Sequence, residues 1–434
     1  HPRPERDRRR RECAARHLML LRPTLRGWAL AATGLALVLV GIGMGSRDVV
    51  RIGALALVVV AASAGVVAWL DAGGTRRPLT VQRLVLPNPV HAGERVGVEV
   101  RITSSDPSGR ARLAGLKFAE QAATELSAGR PLRARVQRSP GIVLVSYGVE
   151  AARRGRWPLG PLVVTRTDLF GTVASTTTLG EQAEVTVWPT IVPLPTPSDV
   201  LIGEPDRVAL GARSPSTDDA SLRDYHEGDD LRRVHWRSSA RRGELLVRSD
   251  ERAGMRPVSV LLDMPSRGPH VEWTISLAAS IALAMLEAGH PVRLLDGVSE
   301  HSTLTGVPFV HTRHDGARAA LLDRTVDLEA PRGSTEAQAR LVRGAHLLES
   351  TEAGGEIVLG VLGPLGAGAR SALAHVADTA QGWAIVRTDP QHAGERRDAE
   401  HTVAALRRAG WRACEATPGE PLVDCWLRLL GSTR

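Results

Sequence analysis

Reactive residue types crowd into one stretch of the chain, residues 213–251. Asp229, His235, Ser238 and Ser239 are the ingredients of nucleophilic catalysis: a hydroxyl to attack, an imidazole to take its proton, a carboxylate to orient the imidazole. No Gly-x-Ser-x-Gly elbow frames either serine, and Ser238-Ser239-Ala240-Arg241-Arg242 reads as a loop or a helix start. His226, His235 and Asp229 carry metal-ligating atoms, but their spacing matches no familiar zinc pattern. A Walker-type glycine loop is absent from the sequence. What the stretch has in excess is opposed charge, with Arg223, Asp229, Arg232, Arg241 and their neighbours set around Tyr225 and Trp236. The signs alternate too tightly for one solvated helix face. Gly228 and Gly243 mark turns, and Glu244–Val247 reads as a short strand. The residues predict an ordered polar loop fixed by bidentate Arg–carboxylate pairs, with Asp229 buried or half-buried against one or more of Arg223, Arg232 and Arg241. Such networks imitate active sites, so a docking surface is the first expectation and a hydrolase using Asp229, His235 and Ser239 the rival.

Around this stretch the chain changes character several times. The formal charge is +8, but nine arginines against three acids before Gly27 supply +6 of it. The rest is close to neutral, which is not the footprint of a nucleic-acid-binding domain. Lys117 is the single lysine, so arginine abundance is a compositional bias and weak evidence for phosphate binding. Cys13, Cys414 and Cys425 have neither metal-ligand spacing nor a disulfide framework. No cofactor is expected.

Residues 1–26 read as a basic juxtamembrane tail. Residues 27–45 and 52–70 are two uncharged runs of 19, each near the ~20 residues that a helix needs to cross a bilayer. Together, 27–70 predict a transmembrane hairpin with Trp28 and Trp69 at one interface. The arginines of the tail, with Arg76 and Arg77, outweigh Arg47 and Arg51 of the turn, which places both termini in the cytosol and the hairpin in the inner membrane. Residues 79–189 hold short Val-rich runs bounded by Gly, Pro and Asn, and predict an antiparallel β-sandwich. Residues 190–212 read as a proline-rich linker, and 213–252 are the polar stretch. From 253 to 434 strand and helix patterns alternate, which predicts a parallel α/β sheet.

The polar stretch also resembles a known signature. R-D-Y-H-E-G-D-D-L-R-R-V-H-W-R-S-S-A-R-R-G-E-L-L-V-R is similar to that of the bacterial family named domain of unknown function 58. Arg223, Tyr225, Gly228, Asp229, Arg232, Trp236, Ser239, Ala240, Arg241, Gly243, Leu245 and Arg248 fall on the pattern without a gap, and His235 lies within it. The same resemblance picks out Asp168-Leu169-Phe170-Gly171, where a structural turn is expected. It implies a von Willebrand factor A-like C-terminal domain. Such domains can bind Mg²⁺ through D-x-S-x-S after the first strand, but here Asp263 is followed by Pro265 and Arg267 in place of both serines. The expectation is therefore a degenerate site without metal, where Asp263 caps a turn and pairs with Arg267. The resemblance further implies an adaptor that works with a MoxR-type AAA ATPase and a membrane transglutaminase-like protein. The lipid bilayer is the third partner, and no nucleic acid is expected.

Overall fold

The structure, a computed structural model, describes residues 20–76, 79–104, 113, 115–127, 129–130, 132–195, 222–224, 239–240, 243, 246–248, 256–266, 268, 270–298, 307–311, 316–349, 355–389 and 392–432. The chain divides into two compact units, His1–Trp188 and Pro189–Arg434.

The first unit opens with strand β1 (Leu20–Pro23) and two long helices, α1 (Leu25–Met44) and α2 (Arg47–Arg76). Thr24 caps α1, accepting from the Gly27 N–H at 3.2 Å. Gly45, at φ 65°, ends α1 in the left-handed conformation that a Cβ disfavours. The break between the helices is thus Gly45–Ser46, shorter than the pattern of charges predicts. Arg47, Asp48 and Arg51 belong to the first turns of α2, where Arg51 pairs with Asp48 at 3.3 Å. Gly27, Gly34 and Gly41, spaced by seven, are the buried positions of α1. Gly34 meets Gly53 and Ala56, and Gly41 meets Val50, so the two backbones pack in direct contact. Leu35, Leu39, Ile42, Leu55 and Val58 remain exposed. Both helices are long and apolar enough to cross a membrane.

The rest of this unit is two sheets around one core. Strands β2 (Thr80–Leu86), β4 (Arg95–Thr103), β6 (Ala134–Ser139) and β7 (Ile142–Glu150) form an antiparallel sheet in the order β2-β4-β7-β6. The other sheet holds β3 (Val90–His91), β5 (Leu116–Ala122), β8 (Gly155–Thr167), β9 (Val173–Leu179) and β10 (Ala183–Trp188) with β1. Its order is β1-β9-β8-β10-β3, and β5 pairs with β8. Helix α3 (Thr124–Ser127) is a single turn. Alternation decides which side chains meet: Val96, Val98, Val100 and Ile102 of β4 join Leu159, Leu162, Val185 and Val187 from the opposite sheet. Each such side chain contributes about 1.5–3 kcal/mol on burial. The end of the basic tail is part of this fold, since β1 pairs antiparallel with β9 from Leu20↔Thr176 to Pro23↔Val173.

In the second unit, β11 (Leu222–Asp224) and β12 (Leu246–Arg248) form a two-stranded antiparallel pair. A five-stranded parallel sheet follows, built from β13 (Val258–Leu262), β14 (Val292–Leu295), β15 (Ile357–Leu362), β16 (Gln381–Arg387) and β17 (Arg412–Ala416). The order β14-β13-β15-β16-β17 is that of a doubly wound sheet. Helices α4 (His270–Glu287), α5 (Ala317–Val326) and α9 (Leu422–Leu430) share one core with Val258, Val260 and Leu262. Helices α6 (Ser334–Glu349), α7 (Ala367–Thr379) and α8 (Ala393–Arg408) share the other with Leu261, Val358 and Val386. Because both faces are covered, β13, β14 and β15 are buried at every position, β15 at all six. Part of the proline-rich stretch packs here too: Leu194 lies in the first core, and the Pro195 carbonyl accepts from Trp426 Nε1 at 2.9 Å.

Candidate functional site

A doubly wound sheet leaves a crevice beyond the carboxyl ends of its strands, at the point where the strand order reverses. Here that point lies between β13 and β15, whose next residues are Asp263 and Gly363. A cavity of about 400 Å³ opens there, lined among others by Asp263, Ser266, His270, Gly363, Arg387, Asp389 and Glu395. Asp263 is buried, and its Oδ2 accepts from the Gly363 N–H at 2.7 Å and from Arg387 Nη2 at 3.2 Å. Arg387, the last residue of β16, is fully engaged: its Nε donates to the Leu362 carbonyl at 3.2 Å and its Nη1 to Thr274 Oγ1 at 3.2 Å. Gly363 lies close against the pair: a Cβ there would meet Arg387 Nη2 at 2.7 Å and Asp263 Oδ2 at 2.9 Å, so a larger residue would have to displace them. Burial pushes the Asp263 carboxyl above its ordinary value, against the opposing pull of the Arg387 charge and the Gly363 N–H. The counter-charge at Asp263 is therefore a guanidinium, and a divalent cation brought to this carboxylate would meet it.

The partner expected for Asp263 was Arg267, which lies outside the described residues; the structure supplies Arg387, 124 residues away. Only the fold brings that pair together, and no local pattern announces it. A second group at the same edge was also missed. Asp389, His392 and Glu395 offer ligand-type atoms that all lie within 4.8 Å of one another at the protein surface. His392 Nδ1 is 2.8 Å from Asp389 Oδ2, and this hydrogen bond raises the imidazole pKa above its ordinary value. Asp-x-x-His-x-x-Glu at the start of α8 was the signal available in the sequence.

Of the residues singled out in the polar stretch, Arg223 and Arg248 lie on paired strands, with Arg223 opposite Val247 and Leu222 opposite Arg248. The two ends of the stretch are thus brought together. Ser239 is buried, and its carbonyl accepts from the Gly243 N–H at 2.9 Å. Gly243 takes φ 77°, the left-handed turn conformation. Tyr225, Gly228, Asp229, Arg232, His235, Trp236 and Arg241 lie outside the described residues.

One comparison bears on this region. Residues 221–341 match the family described as Protein of unknown function DUF58. The DUF58 match starts beside β11 and takes in the whole signature from Arg223 to Arg248, then β13 with Asp263, and ends within α6. It covers less than a third of the chain and stops before Gly363 and Arg387. Among the curated proteins, none matches this chain. Solved structures offer only distant likenesses. The GspB Siglec domain is 14% identical over 27% of this chain, with a TM-score of 0.17, and the chain spans 63% of that domain. The PilB minor pilin from Streptococcus sanguinis is 9% identical, covering 82% of this chain and 86% of its own, with a TM-score of 0.27. The enterobactin esterase FES from Shigella flexneri is 12% identical, covering 83% and 99%, with a TM-score of 0.18.

Proposed function

We propose that this chain is a two-pass adaptor of the inner membrane. Its paired helices anchor a β-sandwich and a von Willebrand A-like domain on the cytosolic side, and it works beside a MoxR-type AAA ATPase and a membrane transglutaminase-like protein. The observation that carries the anchor is the helix pair α1–α2, whose glycines face each other while Leu35, Leu39, Ile42, Leu55 and Val58 face outward. A soluble protein rarely exposes a contiguous apolar surface of that extent. The turn supports the orientation, because it carries Arg47 and Arg51 against the nine arginines of the tail.

Two features favour docking over hydrolysis. Ser239, the nucleophile of a hydrolase reading, is buried. Asp263, the carboxylate at the switch point, is held by Arg387 and Gly363. The ATPase and transglutaminase-like partners rest on the family resemblance of the signature. Arg, Tyr and Trp, which that signature concentrates, are the residue types enriched at binding hot spots.

The test is affinity capture of detergent-solubilised protein from its own membranes. An AAA ATPase is expected to co-purify, and charge reversal at Arg232 and Arg241 to abolish capture, since like charges across an interface cost several kcal/mol. Absence of an ATPase under every nucleotide condition would defeat the adaptor reading. A reporter fused after Arg434 checks the topology and should behave as cytosolic.

A further inference from the structure

The two-sheet part of the first unit is not tethered to the helix pair by a free linker. Strand β1 pairs with β9 and runs directly into α1, so the β8–β9 connection points the same way as the helix that follows. Thr24 Oγ1 donates to the Gly171 carbonyl at 2.5 Å, and the Thr24 N–H donates to the Thr172 carbonyl at 2.9 Å. Gly27 packs against the Thr172 backbone so closely that no Cβ fits. Asp168 makes the connection rigid, accepting from the Phe170 N–H at 3.1 Å, Thr172 Oγ1 at 3.0 Å and the Val173 N–H at 2.7 Å. The residues at its tip, Leu169 and Phe170, are 98% and 63% exposed.

The helix register shows how deep this tip lies. Gly34 meets Ala56 and Gly41 meets Val50, so position 27 of α1 stands opposite Ser63 of α2. The tip therefore sits level with the first turn of α1. Trp69 lies six residues beyond Ser63, roughly 9 Å along the axis at 1.5 Å per residue. The two tryptophans expected at one depth are thus staggered, and both are exposed. From Gly27 to Met44 the apolar length is about 27 Å by the same rise, close to a hydrocarbon core. The tip, with Leu25, Trp28 and the exposed Arg22 and Arg26, falls at one edge of that core.

We propose that Leu169 and Phe170 insert into the interfacial layer of the bilayer that α1 and α2 cross. They would form a third membrane contact, which seats the β domain on anionic headgroups through Arg22 and Arg26. This rests on the membrane reading above. The occupant is lipid because the tip adjoins the first turn of α1, where Leu25 and Trp28 are exposed, and because apolar residues next to Trp and Arg are the pattern of interfacial segments.

The test is lipid quenching of single labels on the full chain in vesicles of equal parts phosphatidylcholine and phosphatidylglycerol. Cys13→Ser provides the background. Cys414 and Cys425 are buried, and burial pushes both thiols above their ordinary value, so labelling at neutral pH is expected at the introduced cysteine. An environment-sensitive fluorophore is placed at Leu39→Cys in α1, at Leu169→Cys, or at Arg153→Cys beyond the far end of β8. We expect the Leu169 label to be blue-shifted and quenched by headgroup-proximal doxyl lipid several-fold more than the Arg153 label. The Leu39 label should be quenched by doxyl near the chain ends. A quenched Leu39 label with a water-exposed Leu169 label overturns the insertion and leaves the anchor standing. Equal quenching at Leu169 and Arg153 also overturns it, since the body would then merely adsorb. An unquenched Leu39 label removes the anchor and the insertion together.

Discussion

Among the described residues, the parallel sheet buries one charged cluster at each end of its strands, and the two sit in different surroundings. At the amino-terminal edge, Arg293 Nη2 bonds Glu356 Oε1 at 3.0 Å and Oε2 at 3.1 Å, and Ser259 Oγ donates to the same carboxylate. The Arg293 guanidinium also lies 4.5 Å from the ring centre of Phe309. At the carboxyl edge stand Asp263 and Arg387. Side-chain exposure is 5% and 4% for Arg293 and Glu356 and 10% and 8% for Asp263 and Arg387, so burial does not separate them. Position along the strands does. Ser259 and Arg293 are second residues of their strands and Glu356 immediately precedes β15, so their partners are adjacent strands in register, Ser259↔Arg293 and Val258↔Ile357. Asp263 and Arg387 lie where the loops diverge, and they border a cavity. The same ion-pair chemistry is enclosed where the strands run in register and borders an open cavity where the loops diverge.

That contrast can be broken experimentally. The largest effect is expected at the enclosed pair. Glu356→Ala strands the Arg293 charge in the protein interior and should lower unfolding free energy by about 3–5 kcal/mol. Replacing both partners, Arg293→Met with Glu356→Leu, should recover most of it. Denaturant midpoints decide the matter, and a Glu356→Ala protein that unfolds like the parent would mean that water already reaches the pair.

At the carboxyl edge, Asp263→Ala also strands a buried guanidinium, but one that borders the cavity, so the cost should fall at the lower end of the same range, about 3 kcal/mol. Formate added to this variant should enter the cavity, pair with Arg387 and restore part of the melting temperature, whereas formate should do nothing for Glu356→Ala. Equal rescue of both variants, or of neither, would erase the distinction between the enclosed pair and the one at the cavity.

The smallest effect sharpens the comparison through pH. His392 belongs to the carboxyl edge, and its hydrogen bond to Asp389, helped by the Asp389 charge, lifts its pKa above the ordinary 6.5. The folded state therefore holds this proton more tightly than the unfolded chain does. Its contribution to stability is full below the ordinary value and is lost as pH rises through the folded one. The imidazole resonance of His392 should titrate above 6.5, and Asp389→Asn should bring it down. An unchanged midpoint in that variant would show that the bond to Asp389 does not hold the proton.

Much of this architecture was legible in the sequence because it follows from period and length. The two uncharged runs became α1 and α2, and the alternating runs became β4 and β7 with every second side chain inward. The apolar runs PVSVLLD, EIVLGVLG and GWAIVRTD became central parallel strands, buried on both faces. Three kinds of feature were not legible. Strand β9, VASTTTL, carries too few large apolar residues to stand out, and it is held by its neighbours β8 and β1. Strand β1 hides at the end of a basic tail, because pairing with β9 is a contact across about 150 positions. The pairs Asp263–Arg387 and Arg293–Glu356 join residues that no local spacing relates. The sequence by itself determined the elements, since side-chain periodicity and turn residues act over a few positions. Tertiary structure alone decided which charges meet, where the crevice opens and which loop stands level with the end of the helix pair. Those depend on strand order and on the direction in which each strand runs, and neither is encoded in any single segment.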